Sequence, residues 1–233
     1  MSGSAFIAAV ASLPREEREA AILRELLGGN IPSFLRVLHT VEVRDSAHAI
    51  AYDVMPDYLA IGSDDDFVRI PMNPYTAQAF CDTFGFVLPT RRMVNDIWSA
   101  ADVHLEPRPL TVERESPHTF LQHHRIIEQQ LEGTVRGAFV AGSKKDIVVS
   151  NRLRERPNRV AIFGWHYRTG EPIQPLYAGH VDWYVDYSHG VRPVRRRMRI
   201  DGTAGTFESI LRDPQLRSLL SDEGELTVIR YDR

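Results

Sequence analysis

Apolar positions recur along this chain at spacings that name its elements. Around residues 12–29, Ile22, Leu23, Leu26 and Leu27 repeat at the spacing of one helical face. Ser12 is placed to cap this helix, Glu16 and Glu17 suit its positive end, and Gly28-Gly29 ends it. From residue 40 the period changes to two. Val41 and Val43 alternate with polar residues, and so does the run from Ala49 to Val54. Residues 58–61 and 67–70 flank the turn-rich segment Gly62-Ser-Asp-Asp-Asp66, the pattern of a hairpin.

Asn73-Pro74 predicts a helix start, with Gly85 as its stop. Thr90 predicts the cap of a second helix over 91–101, with Met93, Val94, Ile97 and Trp98 on one face. Ser116-Pro117 opens a third, running to about residue 131. Strands are expected over 138–141, 147–150, 160–165 and in pieces up to 200. Two short helices (207–211 and 214–220) and a last strand over 226–229 follow. Helices and strands do not alternate in βαβ units. The expectation is therefore an α+β fold, a largely antiparallel sheet with flanking helices. The 233 residues suit a single domain, and the proline-bearing connection over 105–117 is the place where two lobes would divide.

Composition narrows the function. With 43% hydrophobic and 25% charged residues the chain is of globular type and can bury a core without staples. A net charge of −3 and a pI near 6.3 argue against a nucleic-acid partner. Cys81 is the one cysteine, so no intrachain disulfide forms and a cytoplasmic location is expected, or a trimmed secreted form. The apolar residues at the N-terminus lack the basic start of a signal peptide, and no run is long enough to cross a bilayer, so no membrane partner is expected.

Candidate chemistry gathers near the C-terminus. Trp165, His166, His180, Asp182, Trp183, Tyr184, Asp186, Tyr187, His189 and Arg192 fall within a short stretch. Imidazole titrates nearest neutrality, a carboxylate can orient it, Tyr can donate to developing charge, and Arg can clamp an anion. Were residues 180–186 extended, His180, Asp182, Tyr184 and Asp186 would share one face and Val181, Trp183 and Val185 the other. That alternation also describes a plain solvated strand. Tyr187-Ser-His-Gly190 then breaks it beside a glycine. A divalent metal is the alternative use of these side chains, with His180 and Asp182 as ligands and His166 or His189 as a third. No metal-binding motif accompanies them, so no cofactor is expected.

Other segments read as follows. Gly142-Ser-Lys-Lys-Asp146 could present Lys144 or Lys145 to an anionic group, or be a charged hairpin tip. It lacks the frame of a phosphate-binding P-loop. Cys81, inside a helix between Phe80 and Phe84, reads as a buried structural thiol. His123 and His124 are adjacent helical positions, so one is expected to pack and the other to be solvated. Gly62–Asp66 reads as a polar turn rather than a calcium loop, and the arginines of 195–199 as a solvated strand.

The strings at 56–64 (Pro-Asp-Tyr-Leu-Ala-Ile-Gly-Ser-Asp), 88–97 (Leu-Pro-Thr-Arg-Arg-Met-Val-Asn-Asp-Ile), 144–153 (Lys-Lys-Asp-Ile-Val-Val-Ser-Asn-Arg-Leu) and 186–192 (Asp-Tyr-Ser-His-Gly-Val-Arg) resemble a family of hypothetical bacterial proteins to which no activity is attached. Residues 79–90 are also similar to a stretch of sulfatase-modifying enzymes, whose fold resembles C-type lectins. The Trp and Glu that follow there are absent here.

The sequence therefore points to a hydrolase or lyase acting on a polar peptide or saccharide. His189 and His180 would be its acid–base groups, and Asp186 or Asp182 their orienting carboxylates. Tyr187 and Arg192 would stabilise charge, and Lys144, Lys145, His166, Trp165, Trp183 and Tyr184 would contact substrate. The alternatives are a carbohydrate- or peptide-binding module built on the aromatic residues, and a metal-dependent hydrolase. Oligomeric state is not encoded in any pattern seen here.

Overall fold

The protein, as a computed structural model, is described over residues 1–232. Its first helix, α1 (Gly3–Val10), buries Phe6, Ile7 and Val10. It is followed by α2 (Arg15–Leu27) and a short 3₁₀ turn, Ser33–Arg36. Then come β1 (His39–Arg44), β2 (Ala49–Val54), β3 (Ala60–Gly62), β4 (Phe67–Arg69), α3 (Pro74–Phe84), β5 (Phe86–Val87), α4 (Arg91–Ala100) and β6 (Val103–His104). After a connection without regular structure come α5 (Pro117–Gln130), β7 (Val140–Ala141), β8 (Lys145–Val148), α6 (Arg152–Glu155), β9 (Ala161–His166) and β10 (Pro172–Tyr177). The chain continues through β11 (His189–Gly190), β12 (Val194–Arg195), β13 (Arg197–Ile200), β14 (Thr203–Thr206), α7 (Phe207–Arg212) and α8 (Arg217–Leu220).

The fold is α+β. A six-stranded antiparallel sheet has the order β14-β13-β2-β12-β5, with β1 also paired to β2. A second sheet, β10-β9-β8-β11, is antiparallel except at its β8–β11 edge. One hydrophobic cluster runs from Phe6 to Tyr231 and draws on residues both before and after the 105–117 connection.

Local chemistry explains where several helices begin. Asn73 accepts from the Thr76 amide at 2.9 Å and Pro74 occupies the first turn, so α3 starts there. Gly85 then adopts φ 72°, left-handed backbone that closes the helix. Thr90 accepts from Met93 N at 3.1 Å to start α4. The Gly62–Asp66 turn joins β3 to β4 as expected and has a further role. Asp66 accepts from Ser4 N at 2.8 Å and Asp64 from Ser33 N at 2.6 Å, so two carboxylates of one turn cap two other elements.

The structure corrects four expectations. Ser12 does not cap α2, which begins at Arg15 after Pro14 without a side-chain cap, and Leu27 is exposed. Residues 226–229 are not a strand. This tail is held by side chains instead: Asn151 Oδ1 accepts from Thr227 N, and the Tyr231 hydroxyl bridges Val148 O and Ala161 N. His123 and His124 are both buried, because α5 lies between the rings of Trp165 and Tyr187 on one side and Phe67 on the other. Residues 180–186 are not extended. Val181 makes one bridge, to Arg159, and the chain then turns, with Tyr184 N donating to Val181 O.

Candidate functional site

The site is built where β11 meets β8. The two strands run parallel, with His189 opposite Lys145 and Gly190 opposite Asp146. Partners in such a ladder project to the same face, so Lys145 and His189 lie side by side while Lys144 and Asp146 point to the other face. Gly190 is required here. A Cβ at this position would lie 2.5 Å from the Tyr58 ring and 3.0 Å from Lys144 Cβ.

On the first face Asp186 is the anchor. Its Oδ1 accepts from Ser188 N at 2.8 Å and Ser188 Oγ at 2.5 Å. Its Oδ2 accepts from Arg114 Nη2 at 2.7 Å and the Tyr184 hydroxyl at 3.1 Å. Burial works against this carboxylate. The neighbouring His189 ring, the Ser188 hydrogen bonds and the Arg114 charge outweigh it and hold its pKa below the usual range. His189 is 1% exposed, with Nε2 4.0 Å from Asp186 Oδ1, and neither ring nitrogen has a hydrogen-bond partner among the described residues. Burial lowers its pKa to about 4, against the pull of Asp186, so the ring is neutral at pH 7. His180 stacks on Tyr184 at 4.4 Å and lies 6.2 Å from the His189 ring.

Lys145 belongs to the same face. Its side chain is buried, its Nζ lies 5.6 Å from the Trp165 ring, and no hydrogen bond to it is formed among the described residues. Burial lowers its pKa, opposed by Asp186 and assisted by Arg114. Trp165 has φ 55°, rare for a residue with a Cβ and costing about 1–3 kcal/mol, and its indole N–H is buried without a partner. The Arg114 Nε–H is likewise buried and unpartnered, while the rest of that side chain reaches solvent. At the edge of this cluster the side chains of His180, Tyr184 and Arg114 are partly exposed.

The other face is a buried charge network. Arg69 forms a bidentate pair with Asp57 and also reaches Glu128 and His124. Lys144 Nζ donates to Tyr187 O at 2.5 Å and sits 3.4 Å from His123 Nδ1. Burial, reinforced by the Arg69 charge, lowers its pKa to about 7. Asp146 accepts from the Tyr58 hydroxyl, and burial raises its pKa to about 7. Arg192 lies over the Tyr58 ring and donates to Met55 O and Val140 O. The Lys144-Lys145 segment is therefore no charged hairpin tip. Both side chains are buried between neighbouring strands, and α5 covers Lys144 through His123.

The sequence candidates thus divide. His189, Asp186, Lys145, Trp165, Tyr184 and His180 come together. Lys144 and Arg192 lie on the opposite face, and Tyr187 hydrogen-bonds Leu110 through its hydroxyl. His166 Nε2 is 2.9 Å from Asn95 Oδ1. Asp182 accepts from the Tyr75 hydroxyl at 2.6 Å and lines, with Trp183 and Arg15, a separate cleft of about 680 Å³. The Arg15 guanidinium covers one face of Trp183. His166, Asp182 and His189 are thus held by different neighbours, and among the described residues no three His, Cys, Asp or Glu side chains are grouped to hold a metal ion. Burial raises the Cys81 thiol pKa, in keeping with a structural residue.

Arg114 and Ser188 are the residues that sequence reasoning missed. Arg114 lies far from the cluster along the chain, and nothing around it marks it. Lys145 did carry an unread signal. The chain has 26 arginines and two lysines, and both lysines are buried at this strand pair.

No protein-family model, curated protein or solved structure matches the chain. No helix among the described residues is long and apolar enough to cross a membrane. The fold and the site together define an α+β protein with a buried, incompletely hydrogen-bonded His–Asp–Lys cluster.

Proposed function

We propose that the chain is an enzyme, a hydrolase or lyase acting on a small polar substrate, with His189 as its proton-transfer group. The observation that carries this reading is a buried imidazole with neither nitrogen partnered among the described residues, beside an ionised carboxylate. A buried polar group without a partner costs about 1–3 kcal/mol, and such groups are rare unless a ligand or a function accounts for them. A neutral ring can accept a proton from substrate, and Asp186 at 4.0 Å favours the imidazolium that results. Perturbed groups gathered in one place are a mark of catalytic sites.

The test is turnover of a panel of chromogenic esters and glycosides, peptide amides and hydroxylated 2-oxo acids by wild type and His189→Gln. The variant should lose about 10²–10⁴-fold of any wild-type turnover while its melting temperature holds. Equal turnover by the two proteins removes His189 from the chemistry. No turnover by wild type removes the reading for these substrate classes.

A further inference from the structure

We infer that Lys145 is an amine nucleophile that forms an iminium with a carbonyl substrate carrying a carboxylate, a small 2-oxo acid or an open-chain acidic sugar. The inference rests on the acid–base reading of the same site and names its substrate class.

Residue usage is the first argument. Arginine supplies every other basic side chain of this chain, exposed or buried, apart from its histidines. Guanidinium cannot lose its proton in a protein, whereas a desolvated ammonium can. Lysine appears only at 144 and 145. Lys144 is held on the Tyr187 carbonyl, which makes it a tie between β8 and the segment before β11. Lys145 Nζ has no such tie among the described residues and lies 5.6 Å from the Trp165 ring. For an ammonium that is mostly buried and has no hydrogen-bond acceptor among the described residues, desolvation penalises the charged form.

The neighbours supply what iminium formation needs. The Nζ lone pair of the neutral amine adds to the carbonyl carbon, the C=O π pair goes to oxygen, and one proton passes from the nitrogen to that oxygen to give a neutral carbinolamine. Proton donation to that hydroxyl releases water while the nitrogen lone pair closes the C=N bond. His189, in register beside Lys145, is the group placed to carry these protons. The Asp186 carboxylate is the anion whose charge acts on Lys145 and would favour the iminium. Two buried N–H donors, Arg114 Nε and Trp165 Nε1, have no partner among the described residues and are available to a substrate carboxylate.

The experiment is reductive trapping. Wild-type protein is incubated with pyruvate, or with hydroxyacetone as the uncharged ketone for comparison, in sodium cyanoborohydride, and adducts are located by peptide mass mapping. Only Lys144, Lys145 and the N-terminal amine can react, so the map is unambiguous. We expect one adduct, at Lys145, formed about tenfold faster with pyruvate than with hydroxyacetone, the worth of one charge-assisted contact. Lys145→Arg should abolish it. Adducts confined to the N-terminus or Lys144 overturn the inference, and equal trapping of both probes overturns its carboxylate part. Turnover lost in His189→Gln without trapping at Lys145 would leave the acid–base reading standing alone. Trapping with His189→Gln fully active would do the reverse.

Discussion

Acidification should destabilise this protein through His189, and the size of the effect follows from its burial. The ring's pKa falls from its ordinary 6.5 to about 4 in the fold because burial disfavours the imidazolium. Between those values the unfolded chain binds a proton that the folded chain does not, so unfolding is favoured as pH falls. This contribution to stability is fully present above pH 6.5 and is lost as pH drops towards 4. For one group, going from pH 7 to pH 5 costs about 2 kcal/mol. His123 and His124, lowered to about 2 by burial and then by the Lys144 and Arg69 charges, act in the same direction. A comparison is therefore needed to isolate His189. His189→Leu removes the titration and keeps an apolar side chain in the space. Urea unfolding at pH 7 and pH 5 should show the wild type losing about 2 kcal/mol more than the variant. Equal losses would mean that the ring is charged or solvated in the folded state, and the argument from an unpartnered neutral imidazole would fall.

Two further outcomes test the scaffold beneath the site. Asp57→Asn leaves the buried Arg69 guanidinium without its bidentate partner, and the loss read by urea unfolding should be about 3–5 kcal/mol. A loss under about 1 kcal/mol would assign Arg69 to Glu128 instead. Gly190→Ala drives a methyl into the Tyr58 ring and Lys144 Cβ, and should cost about 1–3 kcal/mol by the same assay. Unchanged stability would show that Tyr58 can move aside.

Elements announced by local chemistry were legible. Asn73-Pro74, Thr90 and Ser116-Pro117 each start the helix expected of them, because a capping side chain and its amide lie within one turn. The hairpin about Gly62–Asp66 was legible for the same reason. The strand expected over 226–229 was not realised, because pairing needs a neighbour and the tail found Asn151 and Tyr231 contacts instead. The N-terminal helix α1 was missed because its short apolar run shows no clear face until it lies against β3 and β4.

The candidate site divides along the same line. That His189, Asp186 and Tyr184 would gather was written in their closeness along the chain, and the break at Tyr187–Gly190 marked the place. Alternation over 180–186 misled, because it assumes an extended backbone that a turn after Val181 replaces. Sequence by itself determined which side chains were available: titratable groups concentrated near the C-terminus, and two adjacent lysines in a chain of arginines. Only tertiary structure decided what they became. It paired residue 145 with residue 189, brought Arg114 to Asp186, and separated Lys144 from Lys145 onto opposite faces. The chemistry of an amine or an imidazole depends on how much water and which charges surround it, and those surroundings come from segments that the chain order does not place side by side.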